Sequence, residues 1–170
     1  MSSTQTAIKN CIYRNPGIHF NAIGRRLDIA TGQTQYHVRR LAAQETIQQE
    51  SIYGRTHYYP PTFSAWERGA IALLRRESAR EIVVTLLKYD ELRTDEIAEK
   101  LELARSTVEW HLSRLVEYDI VIKDRTGSPL VVRLRKRTEL YRLLREIEPR
   151  LIDRLVDRFA RLTDELLDDA

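Results

Sequence analysis

One cysteine, Cys11, is present in 170 residues. No internal disulfide can form, and a zinc site built from several thiolates is excluded within one chain. Cys11 sits beside Ile8 and Ile12 in a helical pattern, the setting of a small buried hydrophobe rather than of a sensing thiol. No apolar run reaches about 18 residues, and the opening Met1-Ser2-Ser3-Thr4-Gln5 lacks the apolar stretch of a signal peptide, so a cytoplasmic protein without membrane contact is expected. Also missing are a glycine-rich phosphate loop, a nucleophile motif and any His/carboxylate cluster at ligand spacing. The expectation is no enzyme, no catalytic residues, no metal and no cofactor.

What is present is an ordinary folding composition with an uneven charge distribution. Hydrophobic content of 42% and charged content of 31% describe a folded chain, not a disordered one. The net charge of +3 conceals blocks: residues 1–60 carry +4, 91–122 carry −4, 123–137 carry +5 and 138–170 carry −3. The first block and the short run at 123–137 are therefore the surfaces suited to a polyanion.

One pattern occurs twice. Gln33-Thr34-Gln35-Tyr36-His37-Val38-Arg39-Arg40-Leu41 is repeated by Thr107-Val108-Glu109-Trp110-His111-Leu112-Ser113-Arg114-Leu115, at an offset of 74. The same offset pairs Ile23 with Ile97, Leu27 with Leu101 and Ile29 with Leu103. Val108, Leu112, Leu115 and Val116 recur three or four apart and line one helical face, leaving Arg105, Ser106, Glu109, Trp110 and Ser113 on the other. A short helix precedes each long one, at 20–27 and 94–101, with a few residues between. Two helices joined that tightly read as helix-turn-helix.

Each copy resembles the winged helix-turn-helix of the ArsR and MarR types, in which an aromatic or basic residue, His, an aliphatic and a Leu follow a polar helix start. The tandem arrangement is similar to that of archaeal transcriptional regulators with two such domains. The resemblance covers residues 4–59 and 79–137, and it implies a mainly α fold with small β-hairpin wings, a DNA-binding role and no enzymatic activity.

Taken in order, helix 4–14 ends at Asn15-Pro16-Gly17, and 18–20 is a short strand pairing with a later hairpin. Helices 21–27 and 31–44 follow. A hairpin of 47–51 and 56–59 has Arg55 near its tip, with Tyr53, Tyr58 and Tyr59 as strand packing. Residues 62–76 form an amphipathic helix carrying Phe63, Trp66, Ala70, Leu73 and Leu74, either capped off from helix 79–89 by Glu77-Ser78 or continuous with it. Thr94-Asp95-Glu96-Ile97 is a capping signature. A second hairpin, 120–122 with 130–134, flanks Arg125-Thr126-Gly127-Ser128-Pro129. Thr138 caps a helical tract to 167 that Pro149 breaks near Glu148. The expected organisation is a first winged helix-turn-helix domain at 1–61, a linker helix at 62–78, a second domain at 79–137 and a C-terminal helical segment at 138–170. Units this small gain from contact with each other.

For DNA, Thr31 and Gly32 open the first recognition helix. Gln33 and Gln35 offer donor and acceptor to adenine in the major groove, with Arg39 one turn on. Arg25, Arg26 and Arg40 suit phosphates, and Arg55 the backbone or minor groove. In the second unit Arg105, Ser106, Thr107, Lys123, Arg125 and Arg133 suit DNA, supported by the run to Arg137 and opposed by Glu109, unless that carboxylate accepts from a cytosine amino group. Tyr36 and Trp110 either stack on sugars or bridge helix to wing. His37 and His111 lack a second ligand at i+3 or i+4, which favours a structural role over a metal site.

The expected function is a sequence-specific, double-stranded DNA-binding regulator of transcription. It is read as a homodimer through Leu151, Leu155, Phe159, Leu162 and Leu166, with contact to transcription machinery as a further partner. The rivals are a protein-interaction adaptor and an architectural protein without sequence preference. Any effector would enter a crevice between the units near Trp66 and Leu74.

Overall fold

In a computed structural model, described over residues 1–153, the repeat of sequence is a repeat of structure. The first unit runs α1 (Ser3–Arg14), β1 (Ile18–His19), α2 (Phe20–Leu27), α3 (Thr31–Ala43), β2 (Gln48–Ile52), β3 (Arg55–Tyr59) and α4 (Ala65–Leu74). The second runs α5 (Glu77–Tyr89), β4 (Glu91–Leu92), α6 (Thr94–Leu101), α7 (Arg105–Glu117), β5 (Val121–Asp124), β6 (Val131–Leu134) and α8 (Arg137–Ile147). Each unit has one three-stranded antiparallel sheet, ordered β1-β3-β2 and β4-β6-β5. Ile18 pairs with Tyr58 and Gln48 with Tyr59; moved by 74, these become the observed pairs Leu92 with Val132 and Ile122 with Arg133. No insertion separates the copies.

Helix α4, read from sequence as a linker, holds the place in the first unit that α8 holds in the second. The offset sets Trp66, Ala70 and Leu73 against Leu140, Leu144 and Ile147, so the apolar face is kept. The two wings differ only at their tips. Ile52 still pairs with Arg55, whereas the second hairpin opens beyond Asp124 and Val131, because Pro129 stands where Arg55 does and has no N–H to donate.

The helix-turn-helix joints have one physical origin in both units. Ile29 N–H donates to Gly24 O and Leu103 N–H to Ala98 O, each at 3.0 Å, a bond spanning six residues that closes the end of the short helix. It needs a left-handed residue, supplied by Asp28 (φ 52°) and Glu102 (φ 55°). Ile29 and Leu103 then fold back onto their cores, which is why that apolar pair recurs in the sequence.

Several helix ends differ from expectation. Helices α4 and α5 are separate, with Arg76 extended between them (φ −86°, ψ 125°). Ser64 caps α4 in a reciprocal box with Glu67. Thr94 lies inside α6, and the Glu96 carboxylate accepts Arg93 N–H at 2.8 Å instead. Thr138 lies inside α8, which starts from a left-handed Lys136 and so has no side-chain cap. Pro149 acts as expected: α8 stops at Ile147 and helical structure resumes over 149–153.

Two cores result. Ile8, Ile12, Ile23, Val38, Leu41 and Tyr58 fill the first unit. The larger core joins α4, α5 and the whole second unit. Alternation along β3 divides its two tyrosines: Tyr58 points into the first core and Tyr59 into the second, where its hydroxyl donates to Arg68 O at 2.7 Å. Phe63, Ile71 and Leu74 complete that seam, each buried side chain contributing about 1.5–3 kcal/mol. Leu74 is fully buried and Trp66 lies under Lys136, whose Nζ is 4.4 Å from the ring centroid. The crevice expected there for an effector is thus packed. Glu67 also accepts from Arg142 at 2.8 Å, tying α4 to α8, and Arg75 donates twice to Pro16 O. The units are fastened to each other through α4, not swung on a linker. No helix among the described residues is long and apolar enough to cross a membrane.

Candidate nucleic-acid interface

Helix α3 buries Thr34, Val38 and Leu41, which turns Thr31, Gly32, Gln33, Gln35, Tyr36, Arg39 and Arg40 outward. Between α3 and the β2–β3 hairpin lies an open groove of about 860 Å³. Arg25, Gln35, Arg39 and Arg55 line it, together with His19 and Gln49, and no carboxylate does. Arg25, Arg39 and Arg55 make no hydrogen bond or ion pair among the described residues. Partial burial, with Arg55 and Arg25 nearby, lowers the His19 pKa below the ordinary imidazole value. A groove with three unpaired guanidiniums and an amide on its helix wall suits a polyanion with readable edges.

Not every expected contact falls there. Arg26 donates to Asn15 Oδ1 at 2.5 Å and so braces the end of α1. Tyr36 does not bridge to the wing; it is 55% exposed, and its hydroxyl accepts from Arg40 of its own helix at 3.0 Å. Gly32, Gln35, Tyr36, Arg39 and Arg40 form a second, shallower surface beside the groove.

The second unit has the same groove, of about 510 Å³, but here carboxylates join the cations of the lining. Glu109 stands at the place of Gln35 and Lys123 at that of Gln49, and Lys123 Nζ donates to Glu109 Oε2 at 2.5 Å across the groove. That bond holds the Glu109 carboxyl below the usual range, helped by Thr94. Arg93 is paired with Asp95 at 3.1 Å. Arg105 and Arg125 remain open on this lining, while Ser106 is exposed and Thr107 half-buried at the start of α7.

The basic run at 123–137, the densest in the sequence, is largely paired within the chain, although its arginines stay at the surface. Arg133 pairs with Asp124 at 2.6 Å, Arg135 with Asp119 at 3.3 Å and Arg137 with Asp90 at 3.2 Å. Lys136 lies on Trp66 and Lys123 on Glu109. Asp124 is itself kept below the usual carboxylate pKa, first by hydrogen bonds from Thr126 and then by Arg133. Linear charge counting missed this because most acidic partners come from elsewhere in the fold, α7 for Lys123 and the turns at 90 and 119 for Arg137 and Arg135, and only Asp124 belongs to the run itself.

Trp110 also lacks a bridge to its own wing. Arg114 stacks on it, with Cζ 3.6 Å from the ring centroid, and on Tyr53 of the first hairpin at 3.9 Å. Tyr53 is therefore not strand packing but a contact between units, made against Glu117, Tyr118 and Arg76 as well. Sequence reading overlooked Arg76 and Arg114; the repeat held a signal, since Arg114 answers to Arg40. His37 and His111 stand edge-on to Tyr36 and Trp110, and no group of three metal-ligating side chains occurs among the described residues. Of the residues assigned to a dimer surface, Leu151 packs half-buried on its own chain's core, and Leu155, Phe159, Leu162 and Leu166 lie outside the described residues.

Two recognition-type helices, each with a hairpin wing and joined through a shared core, define a tandem winged helix-turn-helix protein. Comparison with known families agrees. Residues 2–71 match a profile described as an N-terminal HTH domain, and residues 76–123 match that of the bacterial regulatory protein, arsR family. The chain therefore carries two helix-turn-helix domains in tandem, the second similar to the arsR type. The HTH-type transcriptional regulator MJ1398 of Methanocaldococcus jannaschii is 27% identical over 131 residues, covering 77% of this chain and 33% of the relative. The chain thus matches about a third of that relative's length. Among solved structures, overoxidized AbfR bound to DNA aligns over 88% of this chain and 99% of its own, at 19% identity and a TM-score of 0.42. Reduced AbfR bound to DNA aligns over 86% and 99%, at 17% identity and 0.42.

Proposed function

We propose that the chain is a sequence-specific, double-stranded DNA-binding regulator of transcription, acting in the cytoplasm, in which the first unit does most of the reading. The observation that carries this is the groove, lined by no carboxylate among the described residues, whose Arg25, Arg39 and Arg55 have no ion pair among them while Gln35 lines it too. Helix α3 enters the major groove, Gln33 and Gln35 address base edges, and Arg55 on the wing follows the backbone. The second helix contributes less, because an ion pair of Lys123 with Glu109 spans its groove and puts a carboxylate where Gln35 stands in the first. We extend the proposal to a homodimer through the apolar residues Leu155, Phe159, Leu162 and Leu166, with the transcription machinery as a further partner.

Binding to genomic fragments and to random duplex across a salt series tests it. A regulator keeps a specific-over-random ratio of roughly 10³ or more, whereas an architectural protein shows only the electrostatic slope. An adaptor binds neither. Light scattering that finds only monomer at micromolar concentration removes the dimer and leaves DNA binding untouched.

A further inference from the structure

The junction of the two units gathers three guanidinium groups that lie outside the first recognition helix. Arg114 on α7 is held between the Tyr53 and Trp110 rings, its Cζ 3.9 and 3.6 Å from their centroids. Arg76, in the turn between α4 and α5, has its Cζ 5.8 Å from the same Tyr53 ring. Arg55 follows two residues after Tyr53 on the hairpin and lines the first groove. None of the three has an ion pair among the described residues. The carboxylate at this ring, Glu117, is occupied by the Tyr53 hydroxyl at 2.5 Å.

Such a cluster is costly in the free protein. Burial lowers the Arg76 pKa first, and Arg114 and Arg55 lower it further, so Arg76 feels both other charges. On the second hairpin and its flanks the surface arginines Arg133, Arg135 and Arg137 are paired with carboxylates, as these three are not. Glu117 keeps its charge beside them, so three cations face one carboxylate, and planar guanidiniums without an ion pair among the described residues have the geometry that receives phosphate oxygens in pairs. Its position decides which phosphates: Arg55 belongs both to this cluster and to the groove beside α3, so the two surfaces are continuous.

We propose that Arg76 and Arg114, with Arg55, form a phosphodiester-binding site at the junction that grips the DNA backbone as it leaves the first groove and seats both units on one duplex. This rests on the DNA-binding reading above. Stacking on Tyr53 and Trp110 fixes the direction of the Arg114 head, and the fastening of wing tip to α7 fixes the distance from the groove to the site.

The test measures binding of the full chain to a mixed-sequence duplex of about four helical turns as a function of salt. Arg76→Gln and Arg114→Gln should each make the log–log salt slope shallower by about one unit and weaken all sequences alike. Arg76→Lys and Arg114→Lys should keep the slope, which separates charge from packing. Should Arg114→Gln fail to fold, Arg76→Gln carries the test alone. If folded Arg76→Gln and Arg114→Gln keep the parental slope while Arg39→Gln weakens binding, the junction lies off the DNA path and the DNA-binding reading stands. If the parental protein binds no duplex even at low salt, both fall. Equal competition by single-stranded RNA of the same length would overturn the assignment to duplex DNA.

Discussion

Tyr53 at the tip of the first wing donates its hydroxyl to Glu117 at the end of the second recognition helix, 2.5 Å away. Its ring meets Tyr118 edge-on at 5.8 Å, and Tyr118 in turn lies against Gly69 on α4. Wing, recognition helix and the closing helix of the first unit thus share one contact. In a winged helix the wing tip is ordinarily free to meet the nucleic-acid backbone; here one face of it is spent on the neighbouring unit and the other, carrying Arg55, remains open.

Gly69→Ala tests that contact. On helix propensity alone the change should stabilise by about 1 kcal/mol. A Cβ at Gly69, however, would overlap the Cδ1–Cε1 edge of the Tyr118 ring, so the ring or the helix must shift. The overlap decides the sign, and we expect a loss of about 1–3 kcal/mol, seen as a lower thermal midpoint. A neutral or raised midpoint would mean that the ring is not wedged there. Tyr53→Phe, which removes only the hydrogen bond at a partly exposed site, should cost about 1 kcal/mol or less.

Glu109→Gln gives the second groove the amide that the first groove has in Gln35. It removes a negative charge from the lining of the second groove and frees Lys123, now held at 2.5 Å. The pair is partly exposed, so stability should change by no more than about 1 kcal/mol. DNA binding should tighten, with a salt slope steeper by about one unit as Lys123 takes a phosphate. An unchanged slope would show that this groove never meets the backbone.

The repeat was legible in the sequence because its cause is local: the helix-turn-helix joint needs an apolar residue after a left-handed one, and Ile29 and Leu103 mark it. The outward turn of Gln35 and Arg39 was legible for the same reason, through the helical spacing of Val38 and Leu41. What stayed hidden depends on contacts distant in sequence. The pairing of Arg137 with Asp90 gave no sign in the sequence, and Tyr53 looked like strand filler until α7 came beside it. The equivalence of α4 and α8 was readable by extending the offset, but Gly69 against Leu143 and Ile71 against Arg145 obscure it. Those substitutions follow from different neighbours: Gly69 makes room for Tyr118, and Ile71 packs toward Gly17.

Stability should depend on pH through His57, which is buried on β3 with Nδ1 2.7 Å from Gly17 O and Nε2 without a partner among the described residues. At that distance from a carbonyl oxygen Nδ1 carries the hydrogen, so a second proton would enter a dry site near His19, Arg76 and Arg55. Burial lowers its pKa below the ordinary 6.5, with those charges adding to the effect and the Gly17 bond opposing it. The folded state then binds fewer protons than the unfolded state below that value, so stability is full above it and falls as pH drops through it. Unfolding by denaturant from about pH 8 to about pH 5 should show the decline, and His57→Leu should flatten part of it, His19 and His111 supplying the rest with the same sign. Glu109, Asp95 and Asp124, all with depressed pKa, contribute stability that is lost only at lower pH, when they are protonated. A flat profile down to pH 5 in the parental chain would remove the histidine account.

Gln35→Ala and Arg55→Ala separate reading from holding within the first groove, which both residues line. The amide of Gln35 can give and accept at one base edge, so its loss should cost about 1–3 kcal/mol on the preferred sequence and little on random duplex. The specific-over-random ratio should shrink by roughly tenfold or more, with the salt slope unchanged. Arg55 on the wing carries charge without base information, so its loss should weaken both duplexes alike and reduce the slope by about one unit. The two variants should therefore move different readouts, and the assignment of roles depends on that difference. If Gln35→Ala lowers affinity equally for every sequence, α3 touches only the backbone and specificity must arise from DNA shape or from the second unit.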